Sequence, residues 1–115
     1  YDLPNIDVLK VGHHGSKTSS SKDFINEIDP KYSIISVAKK NRYGHPNKEV
    51  LENLKESKIY RTDLQGTVTL VVTPSGEMNF TVQTEEFNEY LMLSADQIME
   101  IDGLKEEIEN FKESL

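Results

Sequence analysis

Apolar residues fall into short runs of differing rhythm along this chain. Residues 6–11, IDVLKV, form a short apolar, β-branched run and predict a strand. Residues 32–37, YSIISV, are nearly continuously apolar and predict a second, buried strand. Between them Phe24, Ile25 and Ile28 share one helical face, with Ser20 or Ser21 available as the cap. The Asp29–Pro30 pair ends that helix. Val50, Leu51 and Leu54 mark a second helix, with Pro46 at its first position, where the fixed φ suits and the missing N–H is not needed. A short strand at 58–61 follows. Runs 67–73 and 78–83, separated by Pro-Ser-Gly, predict a hairpin.

The predicted order is β-α-β-α-β-β-β. Its first part is a βαβ unit, which requires parallel strands. The expected architecture is one α/β layer with an antiparallel extension. Beyond it, Ser94 and Gln97 have the spacing of a capping box. Ile101, Leu104, Ile108, Phe111 and Leu115 then recur at steps of three and four. The stripe is short for a coiled coil and includes Gly103, which costs about 1 kcal/mol in a helix. Two readings stand: an amphipathic helix docked on a domain or partner, or a self-associating helix.

Charge separates the same two regions. Residues 85–115 carry ten acids and two lysines, a net −8, whereas residues 1–84 carry ten acids and eleven bases, a net +1. We therefore expect a body at 1–84 and an acidic, amphipathic helical tail at 85–115. The neutral body neither signals nor excludes a nucleic-acid partner. The 115 residues contain no cysteine, which excludes disulfides and cysteine-based zinc sites. Any metal must be held by histidine and carboxylate. No apolar stretch reaches transmembrane length, and residues 1–10 lack the pattern of a secretory signal. The first residue is Tyr1, not Met, and the chain is expected to be part of something longer.

The candidate chemistry lies in two loops. In VGHHGS, His13 and His14 follow the carboxyl end of the first strand, where ligands bind in parallel α/β sheets. Gly12 and Gly15 allow sharp turns, and Ser16, Thr18, Ser19 and Ser20 offer hydroxyls ahead of a helix start, a setting that suits an anion. In NRYGHP, His45 follows the second strand. Neighbouring strands lie about 4.8 Å apart. If the two strands pair, all three histidines of the chain share one rim. Lys39, Lys40 and Arg42 could neutralise a phosphate there. Asp63 reads most simply as a turn residue bonding the backbone. Asp2 and Asp7 lie at the wrong end of the first strand. The chain has neither HxHxDH nor HExxH, and a catalytic zinc takes about three protein ligands. These residues can complete a metal site but cannot build one, which again points to a portion of a larger enzyme.

DVLKVGHHGSKTSSS at 7–21, YSIISVAKKNRYGHPNKEVLENL at 32–54 and IYRTDLQGTVTL at 59–70 resemble the C-terminal half of a metallo-β-lactamase-fold hydrolase. Within that superfamily they are most similar to the soluble domain of ComEC-type DNA-uptake competence proteins and their stand-alone relatives. The resemblance covers residues 5–83. It implies half of an αββα sandwich, with the missing N-terminal half of the domain as partner. It implies a site for two divalent metals, zinc more often than manganese, and hydrolysis of a phosphodiester or related ester, with DNA as a substrate in the competence proteins. By position, it makes His14 a metal ligand. His13 and His45 become catalytic residues facing the substrate phosphate, with Ser16 and Asn41 as further substrate-side residues. The family's HxHxDH cluster and bridging Asp precede this region and are absent here, so the isolated chain is expected to be inactive and to bind no metal alone. A competence parent would be membrane-tethered, and a stand-alone relative cytoplasmic. The competing expectation is a non-catalytic interaction module that self-associates through an exposed sheet face or the C-terminal helix.

Overall fold

A computed structural model describes residues 3–16, 18–39, 41, 43–85 and 90–114. Asp2, Lys40, Arg42 and Leu115, named above, lie outside the described residues. The chain is mixed α/β. Three strands, β1 (Val8–Lys10), β2 (Tyr32–Ile35) and β3 (Lys58–Arg61), form a parallel sheet in that order. The register sets Val8 opposite Tyr32 and Tyr32 opposite Lys58.

Strands β1 and β2 are both shorter than their apolar runs, and for β2 the reason is local. Beyond Ile35 the neighbouring β3 gives way to a one-turn helix, α3 (Thr62–Gln65). There the Thr62 hydroxyl takes over the ladder: Oγ1 accepts from the Val37 N–H at 2.8 Å and donates to the Val37 carbonyl at 2.9 Å. A side chain satisfies the backbone groups that a longer strand would have paired. Helix α3 was not expected from the sequence.

Helix α1 (Lys22–Ile28) starts on Ser21, whose Oγ accepts from the Phe24 N–H at 3.2 Å. It ends on Asp29 in the left-handed region. Ile25 and Ile28 are buried, but Phe24 is 38% exposed and sits at the rim rather than on the core face. Helix α2 (Lys48–Asn53) corrects the expectation for Pro46. Asn47 is the cap, its Oδ1 accepting from the Glu49 N–H at 2.9 Å, and Pro46 precedes the helix as a buried residue after a cis peptide bond.

Both helices pack on one sheet face. The core joins Ile25, Ile28, Val50, Leu51 and Leu54 to Val11, Ile35, Val37 and Ile59. Ser33 also points inward, and its hydroxyl is satisfied by Ser57 Oγ at 2.7 Å. The hairpin, β4 (Val68–Val72) and β5 (Met78–Val82), does not extend this layer. It is a separate antiparallel sheet that leans on the opposite face. The Phe80 ring stacks on Tyr60 at 4.2 Å and meets Tyr32 at 4.6 Å. Val68, Leu70, Met78, Phe80 and Val82, all on the hairpin's inner face, are only half-buried.

Helix α4 (Ala95–Ser114) opens with the expected reciprocal box. Gln97 Oε1 accepts from the Ser94 N–H at 2.9 Å, and Ser94 Oγ accepts from the Gln97 N–H at 3.3 Å. The long dimension of the molecule is 61 Å, against 30 and 21 Å for the others. Among the described residues no helix is long and apolar enough to cross a membrane.

Candidate functional site

The two histidine loops leave the same edge of the sheet, because β1 and β2 pair in parallel. After buried Val11 the chain makes a tight turn, Gly12–Gly15. His13 (φ 48°) and His14 (φ 57°) both occupy the left-handed region there. Such a conformation costs about 1–2 kcal/mol for a residue with a Cβ, and it persists only where the surroundings impose it. Two such residues stand in succession here.

Several contacts impose it. The His13 carbonyl accepts from the Ser16 N–H at 3.0 Å, and the Gly15 carbonyl accepts from the Asn47 N–H at 2.7 Å. Gly15 itself (φ 79°) abuts Pro46, leaving no room for a side chain. The His14 ring is fixed as well: Nδ1 lies 2.5 Å from the Ser36 carbonyl oxygen. A carbonyl can only accept, so Nδ1 carries the proton. In the neutral ring this leaves Nε2 with the lone pair. Histidine ligands to metals are commonly oriented by such a bond. His13 is exposed beside it.

The second loop is organised by Asn41. Its Nδ2 donates to the carbonyls of Ala38 and His45, at 3.2 and 2.7 Å, and its Oδ1 accepts from the His45 N–H at 2.8 Å. The side chain therefore clips the His45 backbone in place. The His45 ring is half-buried and stacks with Tyr43 at 5.6 Å. The Ser-rich segment after His14 is tied inward too. Ser19 Oγ donates to the Ser16 carbonyl at 2.8 Å, and Asn53 Nδ2 donates to the Ser20 carbonyl at 3.0 Å. Ser16 is half-buried, with Oγ 3.4 Å from Thr18 Oγ1.

Asp63 has a different role from the turn contact expected of it. Arg61 is fully buried, and its guanidinium grips the Asp63 carboxylate with two bonds, Nε to Oδ1 at 3.0 Å and Nη2 to Oδ2 at 2.6 Å. Nη1 donates to the carbonyls of Tyr90, Leu91 and Leu93. A buried cation needs this degree of pairing. The result is an anchor for the segment leading into α4, and it commits the Asp63 carboxylate to a structural task. The sequence carried one hint, an Arg and an Asp two apart at the end of a strand.

A catalytic zinc takes three protein ligands. Among the described residues no three His, Cys, Asp or Glu side chains come together to hold one. Among the described residues His14 offers a single imidazole, held through its Nδ1, which alone does not make up such a set.

No protein-family model and no solved structure matches the chain. It is similar to ComE operon protein 3 of Bacillus subtilis (strain 168), 52% identical over 70 residues. It is also similar to competence protein ComA of Neisseria gonorrhoeae, 44% identical over 61 residues, and to recombination protein 2 of Haemophilus influenzae, 41% identical over 68 residues. The matches cover 57%, 51% and 57% of this chain and 9% of each relative. The chain therefore has homologues among ComEC-type competence proteins and spans a small part of their length.

Proposed function

We propose that this chain is the C-terminal half of a metallo-β-lactamase-type sandwich whose complete form hydrolyses phosphodiester bonds, with DNA as the substrate in a competence setting. The observation that carries the reading is the fixed His14 ring, its Nδ1 spent on the Ser36 carbonyl and its Nε2 left to act. In this reading His14 is a ligand to one of two divalent metals, zinc or manganese, and His13 and His45 meet the substrate phosphate. Ser16 lies beside them, and Asn41, whose amide is spent on the carbonyls of Ala38 and His45 and on the His45 N–H, acts by holding His45 in place rather than by touching the phosphate. When bound, the metals would supply an activated water and a clamp on the phosphoryl oxygens. The chain's own part is to carry the three histidines on one edge, with the His14 ring already oriented through its Nδ1, so that less reorganisation remains when charge develops on phosphate.

The remaining ligands must then come from outside this chain. The half-buried inner face of the hairpin supports that reading, since a second sheet packed there would complete its burial. The matched relatives are far longer than the matched stretch.

The test uses the intact parent protein. Purified with zinc or manganese, it should cleave bis-p-nitrophenyl phosphate, and His14→Ala should abolish the activity while the protein still folds. Full activity of a folded, metal-saturated His14→Ala parent would exclude the assignment. A second reading, a non-catalytic interaction module, is favoured by the same half-covered apolar face. It predicts no cleavage by the parent under any metal.

A further inference from the structure

Among the described residues, the buried side chains of helix α4 lie at its start. Ser94 and Ala95 are buried, whereas Leu104, Ile108 and Phe111 are 58%, 47% and 65% exposed. Together with half-buried Ile101 they form one stripe along the helix. Taking Ile101 as position a of a heptad puts Ile108 at a as well, and Leu104 and Phe111 at d. Isoleucine at a with leucine at d favours two parallel strands. Gly103 falls at c, outside the seam.

The charges beside the stripe select what covers it. Position g holds Glu100 and Glu107, and position e holds Lys105 and Lys112. In a parallel pair, g of one helix faces e of the following heptad on the other. Glu107 then faces Lys112 of the second copy. In an antiparallel pair, g faces g and e faces e, which sets glutamate on glutamate and lysine on lysine. The remaining acids of this stretch, Asp102, Glu106 and Glu109, occupy positions b and f, away from the seam. The tail's negative charge is thus kept off the contact. In the single chain Lys112 meets Glu109 at 3.6 Å, with both side chains well exposed, a contact that holds it weakly.

We propose that α4 is a parallel, in-register dimerisation helix whose partner is a second copy of this chain, specified by glutamates at g and lysines at e. The capped, docked first turn supports a short seam, because the helix does not have to nucleate on association. This inference is independent of the hydrolase reading.

Sedimentation equilibrium of the whole chain, from about 10 μM to about 1 mM, reads the result. A monomer–dimer equilibrium is expected, and Leu104→Glu should abolish it. Glu107→Lys should weaken it about tenfold, and the exchange Glu107→Lys with Lys112→Glu should restore it to within about threefold. Circular dichroism confirms that each variant keeps its helix. The chain has no cysteine, so Leu104→Cys reports orientation: position d meets itself only in a parallel, in-register pair, and mild oxidation should link two copies there. A monomer throughout would overturn the proposal and leave the stripe to a different, basic protein partner. So would a dimer indifferent to Leu104→Glu, a charge exchange that fails to restore it, or a Leu104→Cys dimer that does not cross-link.

Discussion

Gly15 and Pro46 touch so closely that a Cβ on Gly15 would stand 2.7 Å from the Pro46 Cβ and 3.0 Å from its Cα. These residues belong to the two loops that carry the chain's histidines. The contact, with the Gly15 carbonyl accepting from the Asn47 N–H, fastens VGHHGS to NRYGHP. The rim is therefore one unit.

Gly15→Ala should break it. The substitution meets a positive φ, costing about 1–2 kcal/mol, and an overpacked contact costing about 1–3 kcal/mol more. Gly76→Ala is the control, because Gly76 (φ 89°) has nothing within 4 Å of a built Cβ. Urea denaturation should show both variants destabilised, Gly15→Ala by the larger amount. Equal losses would mean that Pro46 can move aside.

The buried ion pair makes the second prediction. Arg61→Met removes the partner of a buried Asp63 and the donor to the carbonyls of Tyr90, Leu91 and Leu93. Leaving the carboxylate buried and alone should cost about 3–5 kcal/mol. The double variant Arg61→Met with Asp63→Leu should recover part of this, since both charges are then gone. The segment ahead of α4 stays unanchored in both variants, so limited proteolysis should cut there faster than in the parent chain. No recovery in the double variant would show that the cost lies in the lost carbonyl contacts.

These two features were unequally legible in the sequence. The shared rim of His13, His14 and His45 was legible, because two apolar runs joined by a helix must pair in parallel and send their following loops to one edge. The strand ends were not, since the Thr62 hydroxyl substitutes for the ladder at Val37 from 25 residues away. Pro46 has the signature of a first helical residue, but the competing signal, Asn47 as a cap for Glu49, is the stronger one. Helix α3 is one turn long and offers no period to detect. Histidine is among the non-glycine residues enriched in the left-handed region, but residue type alone does not place two in succession there, as it does not for Asp29. The strand pattern predicts the hairpin, but nothing in it marks Phe80 as the residue that carries it onto the back of the sheet.

That attachment is itself testable. Phe80 stacks on Tyr60 and contacts Tyr32, and it is the aromatic link between the two sheets. Phe80→Ala should cost about 2 kcal/mol, below the 3–5 kcal/mol typical of a fully buried ring because this one is half-buried. Loss of the ring should also shift the Tyr60 ring protons in the NMR spectrum. A large stability loss with unchanged Tyr60 signals would point to unfolding of the hairpin itself rather than to its detachment.

The His14 ring offers the most direct measurement, and it needs no substrate and no parent protein. Its Nδ1 faces a backbone carbonyl at 2.5 Å, and a carbonyl can only accept. The neutral ring should therefore adopt the Nδ1–H tautomer, with the lone pair on Nε2. Long-range nitrogen–proton NMR, recorded above the histidine titration range, separates the two nitrogens of each ring. His14 should show a protonated Nδ1 and an unprotonated Nε2. Truncating the Ser36 side chain to alanine leaves its carbonyl in place and should leave this pattern unchanged. Gly15→Ala, which displaces the turn, should weaken it. A His14 spectrum with the proton on Nε2 in the parent chain would remove the orientation on which its assignment as a metal ligand depends.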